Sequence, residues 1–157
     1  MDADLILQVL RAFNDEGVEY KVVGAVALNL IGLPRATTDL DVFVAPTAAN
    51  VERLKAALRK VFDDPCIEEI DAGDFLGDYP AIQYVPPEGD FHIDILNRLG
   101  EAFAWEDVEV EERRFEGLAV PVATPAMLVR MKSDTVRLQD RADAERIRAR
   151  YGLGPEE

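Results

Sequence analysis

YKVVGAVALNLIGLPRATTDLDVFVAP, Tyr20 to Pro46, is the stretch on which the fold turns. It reads as a strand over Tyr20 to Val23 ending at Gly24-Ala25, then an apolar helix over Ala25 to Ile31 stopped by Gly32 and Pro34. A loop holding Arg35, Thr37 and Thr38 follows, and a second strand, Leu40 to Val44, is entered through Asp39-Leu40-Asp41. Side chains alternate along a strand, so Asp39 and Asp41 point to one face while Leu40 and Val42 point to the other. Two carboxylates side by side on an otherwise apolar strand cost free energy unless a cation neutralises them. A hard divalent cation with phosphate oxygens as co-ligands is the usual reason for that arrangement.

Further along, FHIDILN (Phe91 to Asn97) reads as another strand whose apolar run Asp94 interrupts. If it lies beside the Asp39/Asp41 strand, Asp94 sits roughly 5 Å from that pair, the spacing of neighbouring strands. Three carboxylates then share one metal cluster. The bland alternatives are acids facing water at a strand end and, for Asp94, on an edge strand. His92, the only histidine, falls two residues from Asp94 and should share its face. With no cysteine support and no second histidine it builds no zinc site, so a packed or surface role is expected. Gly24 either merely ends the strand or stands where backbone approaches phosphate closely, which the missing Cβ permits; in the second reading a helix beginning there would offer free N–H groups to an anion.

Outward from this segment, Asp4 to Glu16 is an amphipathic helix closed by Gly17, and Pro46-Thr47 opens a helix from Ala48 to Phe62. The acidic stretch from Asp63 to Asp78 is irregular, with Cys66 to Ile70 readable as a strand and Ala72 to Tyr79 as a loop. Ala81 to Val85 and Phe91 to Leu96 are strands joined through a Pro- and Gly-containing turn. Val108 to Phe115 and Leu118 to Val122 form a hairpin about Glu116-Gly117. Thr124-Pro125 is an N-cap with proline at the first helical position, opening a helix that runs towards Arg150 with a break near Gln139-Asp140.

A chain of 157 residues suits one domain spanning residues 1–157. Its only cysteine, Cys66, excludes an internal disulfide and a cysteine metal cage. The start MDADLILQVLRAF is acidic where a secretory leader would be basic, and no apolar run is long enough for a membrane, so a cytoplasmic location is expected. The net charge of −14 argues against broad affinity for nucleic acid, which depends on Lys and Arg releasing counterions. The charge is uneven: Arg130 to Arg150 holds seven basic residues against four acidic ones. That segment is either a solvated helix with ion pairs one turn apart or a basic face receiving a triphosphate or RNA end. Neither a Gly-x-Ser-x-Gly elbow nor a Walker-type phosphate loop occurs, which leaves hydrolase and P-loop readings unsupported.

The Gly24-Ala25 turn, the Arg35-x-Thr37-x-Asp39 approach, Asp39-x-Asp41 and the later strand Asp94 together resemble the DNA polymerase β-like nucleotidyltransferase superfamily. Within it the chain is most similar to the AbiEii-toxin-like and minimal nucleotidyltransferase group. Met127 to Ile147 resembles that group's late Lys and Arg-x-x-Asp-x-x-Asp helix region, at Lys132, Arg137, Asp140 and Asp143. The resemblance implies an α/β (α+β) fold, a mixed central sheet flanked by helices with a C-terminal helical segment. It implies Mg²⁺-dependent transfer of a nucleoside monophosphate from an NTP to a hydroxyl acceptor, with two Mg²⁺ ions beside the bound NTP. Asp39, Asp41 and Asp94 would be the catalytic and metal-holding residues, Asp94 also accepting the proton of the attacking hydroxyl. Gly24, Ala25, Arg35, Thr38 and Lys132 would bind the nucleotide. The implied acceptor is a tRNA end or a protein, and the implied partner a cognate antitoxin or a second copy of the chain. Where the family usually has Gly-Gly or Gly-Ser, Ala25 keeps the backbone N–H and lacks the hydroxyl. That departure and the small size support an alternative, a catalytically inactive member acting as a nucleotide-binding or protein-interaction module.

Overall fold

Helix α1 (Ala3–Glu16) leads into strand β1 (Tyr20–Val23), helix α2 (Gly24–Leu30), strand β2 (Asp39–Val44) and helix α3 (Ala48–Val61), an order that follows the hydrophobic periodicity of the sequence closely. Strands β3 (Ala81–Tyr84) and β4 (His92–Leu96) come next, then a two-residue ribbon of β5 (Arg98–Leu99) and β6 (Phe103–Ala104). The hairpin β7 (Val110–Phe115) and β8 (Leu118–Ala123) precedes helices α4 (Pro125–Ser133) and α5 (Leu138–Tyr151). The computed structural model describes residues 3–32, 39–71, 81–87, 91–99, 103–133 and 138–153. The expected Ala72 to Tyr79 loop lies outside them, as do Arg35, Thr37 and Thr38.

The architecture is α/β: among the described residues, a mixed six-stranded sheet in the order β3-β4-β2-β1-β8-β7 with five α-helices. β1 pairs antiparallel with β2 and parallel with β8, while β2 pairs parallel with β4. The outer strands β3 and β7 each run antiparallel to their neighbours. One face is apolar throughout its centre, with Leu40, Val42, Ile93 and Ile95 wholly buried. Burying each such side chain is worth about 1.5–3 kcal/mol. On the other face the covering is graded along β2: Phe43 is wholly buried, whereas Asp41 and Asp39 are only half-buried. The half-buried end of that face is where the polar cluster lies. Among the described residues, no helix is long and apolar enough to cross a membrane.

The opposite end of the β1–β2 pair is tied down by buried Asn50 of α3. Its amide nitrogen donates to the carbonyls of Glu19 and Ala45, each at 3.0 Å, and its oxygen accepts from the Glu19 N–H at 2.7 Å. Thr47 caps α3 by accepting from the Asn50 N–H, and Thr124 caps α4 by accepting from the Met127 N–H, as their positions before each helix predict. Glu116 (φ 51°) and Gly117 (φ 82°) form a two-residue turn whose positive φ values match the twist of the hairpin it joins. At the C-terminal end, the Tyr151 hydroxyl donates to the Ile31 carbonyl, docking α5 on the end of α2.

Two expectations are corrected. Cys66 to Ile70 is not a strand; Pro65–Glu69 is a 3-10 helix. Asp64 caps it by accepting from the Cys66 N–H at 3.0 Å, and Pro65 takes a first position where its missing N–H costs nothing. Its other fasteners come from afar: Tyr84 donates to Asp64 at 2.9 Å, Arg59 to the Glu68 carboxylate at 2.6 Å and Lys55 to the Glu68 carbonyl at 3.2 Å. The expected break near Gln139-Asp140 is not found there either, since both residues lie within α5.

Candidate active site

The register of β2 against β4 builds the site. The two strands run parallel with Asp39 opposite His92 and Asp41 opposite Asp94, and partners in register project to the same face. Asp39, Asp41, His92 and Asp94 are all half-buried, while the residues between them, Leu40 and Ile93, are wholly buried. Gln83, across β3–β4 from Asp94, shares that face and donates from Nε2 to Asp94 Oδ1 at 3.3 Å. The early and late aspartates therefore lie on the same side of the sheet.

Within this group the tightest set is not three carboxylates. Among the described residues, Asp39, His92 and Asp94 each offer one ligand atom, and these atoms lie within 4.8 Å of one another. His92 Nε2 is 2.8 Å from Asp39 Oδ1 and 3.5 Å from Asp94 Oδ2. His92, expected as a packed or surface residue, is thus half-buried between two carboxylates. Strand alternation had placed His92 on this face, and the missing signal was that carboxylates, not more histidines, complete its surroundings.

Asp41 sits against the turn after β1. Val23 is its partner in the antiparallel register, so the chain leaving β1 passes beside its side chain. Gly24 has φ +71°, and a Cβ built on it would lie 2.1 Å from Asp41 Oδ2 and 2.9 Å from Asp41 Cγ. The glycine is required first by the close carboxylate and by its left-handed backbone, a stronger demand than the approach of phosphate inferred from sequence. Ala25 follows as the second residue of α2. Lys132 belongs to α4, although its side chain is outside the description, and Arg35 and Thr38 are outside it altogether.

Two carboxylates and an imidazole within reach of one point, with a third carboxylate one register step along, fit a divalent cation. The donor set is mainly oxygen and half-buried.

The family model described as nucleotidyl transferase AbiEii toxin, type IV TA system, matches residues 8–150. Among solved structures, the chain is similar to ANT(2″)-Ia in complex with adenylyl-2″-tobramycin, with 14% identity, 97% of this chain and 89% of that chain covered, and a TM-score of 0.59. The solution structure of the antibiotic-resistance factor ANT(2″)-Ia matches with 15% identity, 97% and 84% coverage and a TM-score of 0.58. A Thermotoga maritima protein assigned as a nucleotidyltransferase matches with 14% identity, 96% and 92% coverage and a TM-score of 0.53. At such identities the three speak for a common fold. No curated protein matches the chain.

Proposed function

Because the chain belongs to the nucleotidyl transferase AbiEii toxin family of type IV toxin–antitoxin systems, we propose that this nucleotidyltransferase moves a nucleoside monophosphate from an NTP to an acceptor hydroxyl, with a divalent cation held by Asp39, Asp41 and Asp94. The observation that carries the reading is the β2–β4 register, which sets the three half-buried aspartates on one face of the sheet, with Asp41 beside the Gly24 turn.

The acceptor oxygen attacks the α-phosphorus, the bond from that phosphorus to its bridging oxygen breaks, and pyrophosphate leaves. Asp94 takes the hydroxyl proton, and Gln83 donates to one of its oxygens. Asp39 and Asp41 hold the cation and orient the triphosphate. A bound Mg²⁺ supplies positive charge against the negative charge that grows on the phosphates during transfer. The Gly24-Ala25 backbone, with Arg35, Thr38 and Lys132, receives the phosphates; for those last three side chains the assignment rests on sequence. The acceptor is a tRNA end or a protein side chain, and the controlling partner is a cognate antitoxin. The adenylylated tobramycin held by ANT(2″)-Ia supports a nucleotide-to-hydroxyl reaction on this fold.

The test is binding of each labelled NTP with and without Mg²⁺, followed by pyrophosphate release in the presence of candidate acceptors. Asp41→Asn is expected to lower the transfer rate at least about 10³-fold, roughly 4 kcal/mol of transition-state stabilisation. NTP binding indifferent to removal of divalent cations, or a fully active Asp41→Asn, would overturn the assignment.

A further inference from the structure

His92 stands inside the carboxylate cluster, and neither the carboxylate scheme nor the proton transfer uses it. We propose that His92 is a nitrogen donor to the metal centre and sets its preference, tilting it from Mg²⁺ towards Mn²⁺ and the softer divalent ions. The inference deepens the metal-dependent reading above and rests on it.

Geometry gives the first argument. In an octahedral ion with bonds of about 2.1 Å, neighbouring ligand atoms are about 3.0 Å apart and opposite ones about 4.2 Å. His92 Nε2 lies 2.8 Å from one carboxylate oxygen and 3.5 Å from the other, and all three atoms fall within 4.8 Å. A cation can therefore meet all three donors after small side-chain rotations. The backbone already enforces the arrangement, because His92 is the register partner of Asp39 and lies two residues before Asp94 on the same strand face.

Chemistry gives the second. Mg²⁺ prefers oxygen ligands and gives up its waters reluctantly. An imidazole is a poor partner for it and a better one for ions later in the series from Mn²⁺ to Zn²⁺. In the structure Nε2 rests against Asp39 Oδ1, so an ion accepting only oxygen has to push the ring away from a carboxylate it needs. An ion that accepts nitrogen keeps the ring where it stands. The competing role is a plain counter-charge, in which His92 neutralises Asp39 and Asp94 and swings aside when any divalent ion arrives.

The two roles separate by electron spin-echo spectroscopy on Mn²⁺ bound to the full-length protein with inorganic triphosphate, a phosphate ligand that contains no nitrogen. Direct ligation predicts ¹⁴N modulation in the wild-type spectrum and its loss in His92→Asn and His92→Ala, both checked for folding by circular dichroism. By calorimetry, the same variants should bind Mn²⁺ about tenfold more weakly while Mg²⁺ affinity changes less than about threefold. Bound Mn²⁺ without nitrogen modulation overturns the role of His92 and leaves the carboxylate centre standing. Failure of the wild-type protein to bind Mn²⁺ or Mg²⁺ at all overturns both.

Discussion

Gly24 and Asp41 compete for the same space, and only a residue without a side chain lets them coexist. Gly24→Ala is expected to destabilise the protein by about 1–2 kcal/mol through its left-handed backbone and to displace the Asp41 carboxylate. Denaturant unfolding reads the first effect, and an approximately tenfold loss of divalent-ion affinity by calorimetry reads the second. At the far end of the same strand pair, Asn50→Ala removes three hydrogen bonds and takes their side-chain partner from the Glu19 N–H and the Ala45 carbonyl, while the Glu19 carbonyl keeps the Ala45 N–H. Buried groups abandoned in that way are worth about 2–3 kcal/mol together, measurable in urea with no change in the site. The aspartates were readable from sequence because a charge in an apolar strand stands out against alternation. His92 was placed on the correct face by the same alternation, but its role depends on a register across two strands that sequence spacing does not reveal.

At the level of elements, the long periodic segments were legible: α1, β1, α3 and the β7–β8 hairpin fall close to where their apolar patterns and turn residues put them. Their stability is largely local or follows from one buried face. The 3-10 helix was not legible, because Tyr84, Arg59 and Lys55 fasten it from other parts of the chain. The β5–β6 ribbon is too short for any period to register. The 3-10 helix also predicts a pH response. The Cys66 N–H, and after it the Tyr84 hydroxyl, hold the Asp64 carboxyl below its ordinary range. Its folded value lies below its unfolded one, so the stabilisation is complete above the ordinary carboxylate range and disappears as pH falls through the folded value. Asp64→Asn should therefore be less stable than the parent at neutral pH, with the gap closing in acid; thermal melts across pH 2–7 check it, and a gap that stays constant contradicts it.

Across the whole molecule, a net charge of −14 on 157 residues works against compactness through self-repulsion. Raising ionic strength from about 0.01 M to about 0.15 M shortens the screening length from about 30 Å to about 8 Å. The midpoint of thermal unfolding should rise by about 2–4 °C, provided the added salt carries no divalent ion. The strand order β3-β4-β2-β1-β8-β7 was beyond the reach of sequence, since it depends on which apolar faces find one another across long separations. That order has a consequence for synthesis. The strand that contributes His92 and Asp94 is made long after the one carrying Asp39 and Asp41, yet the two must lie side by side. While a ribosome is still extending the polypeptide, the emerging half exposes two acids and no completed cradle. The proposed site is therefore complete only when the later strand pairs with the earlier one.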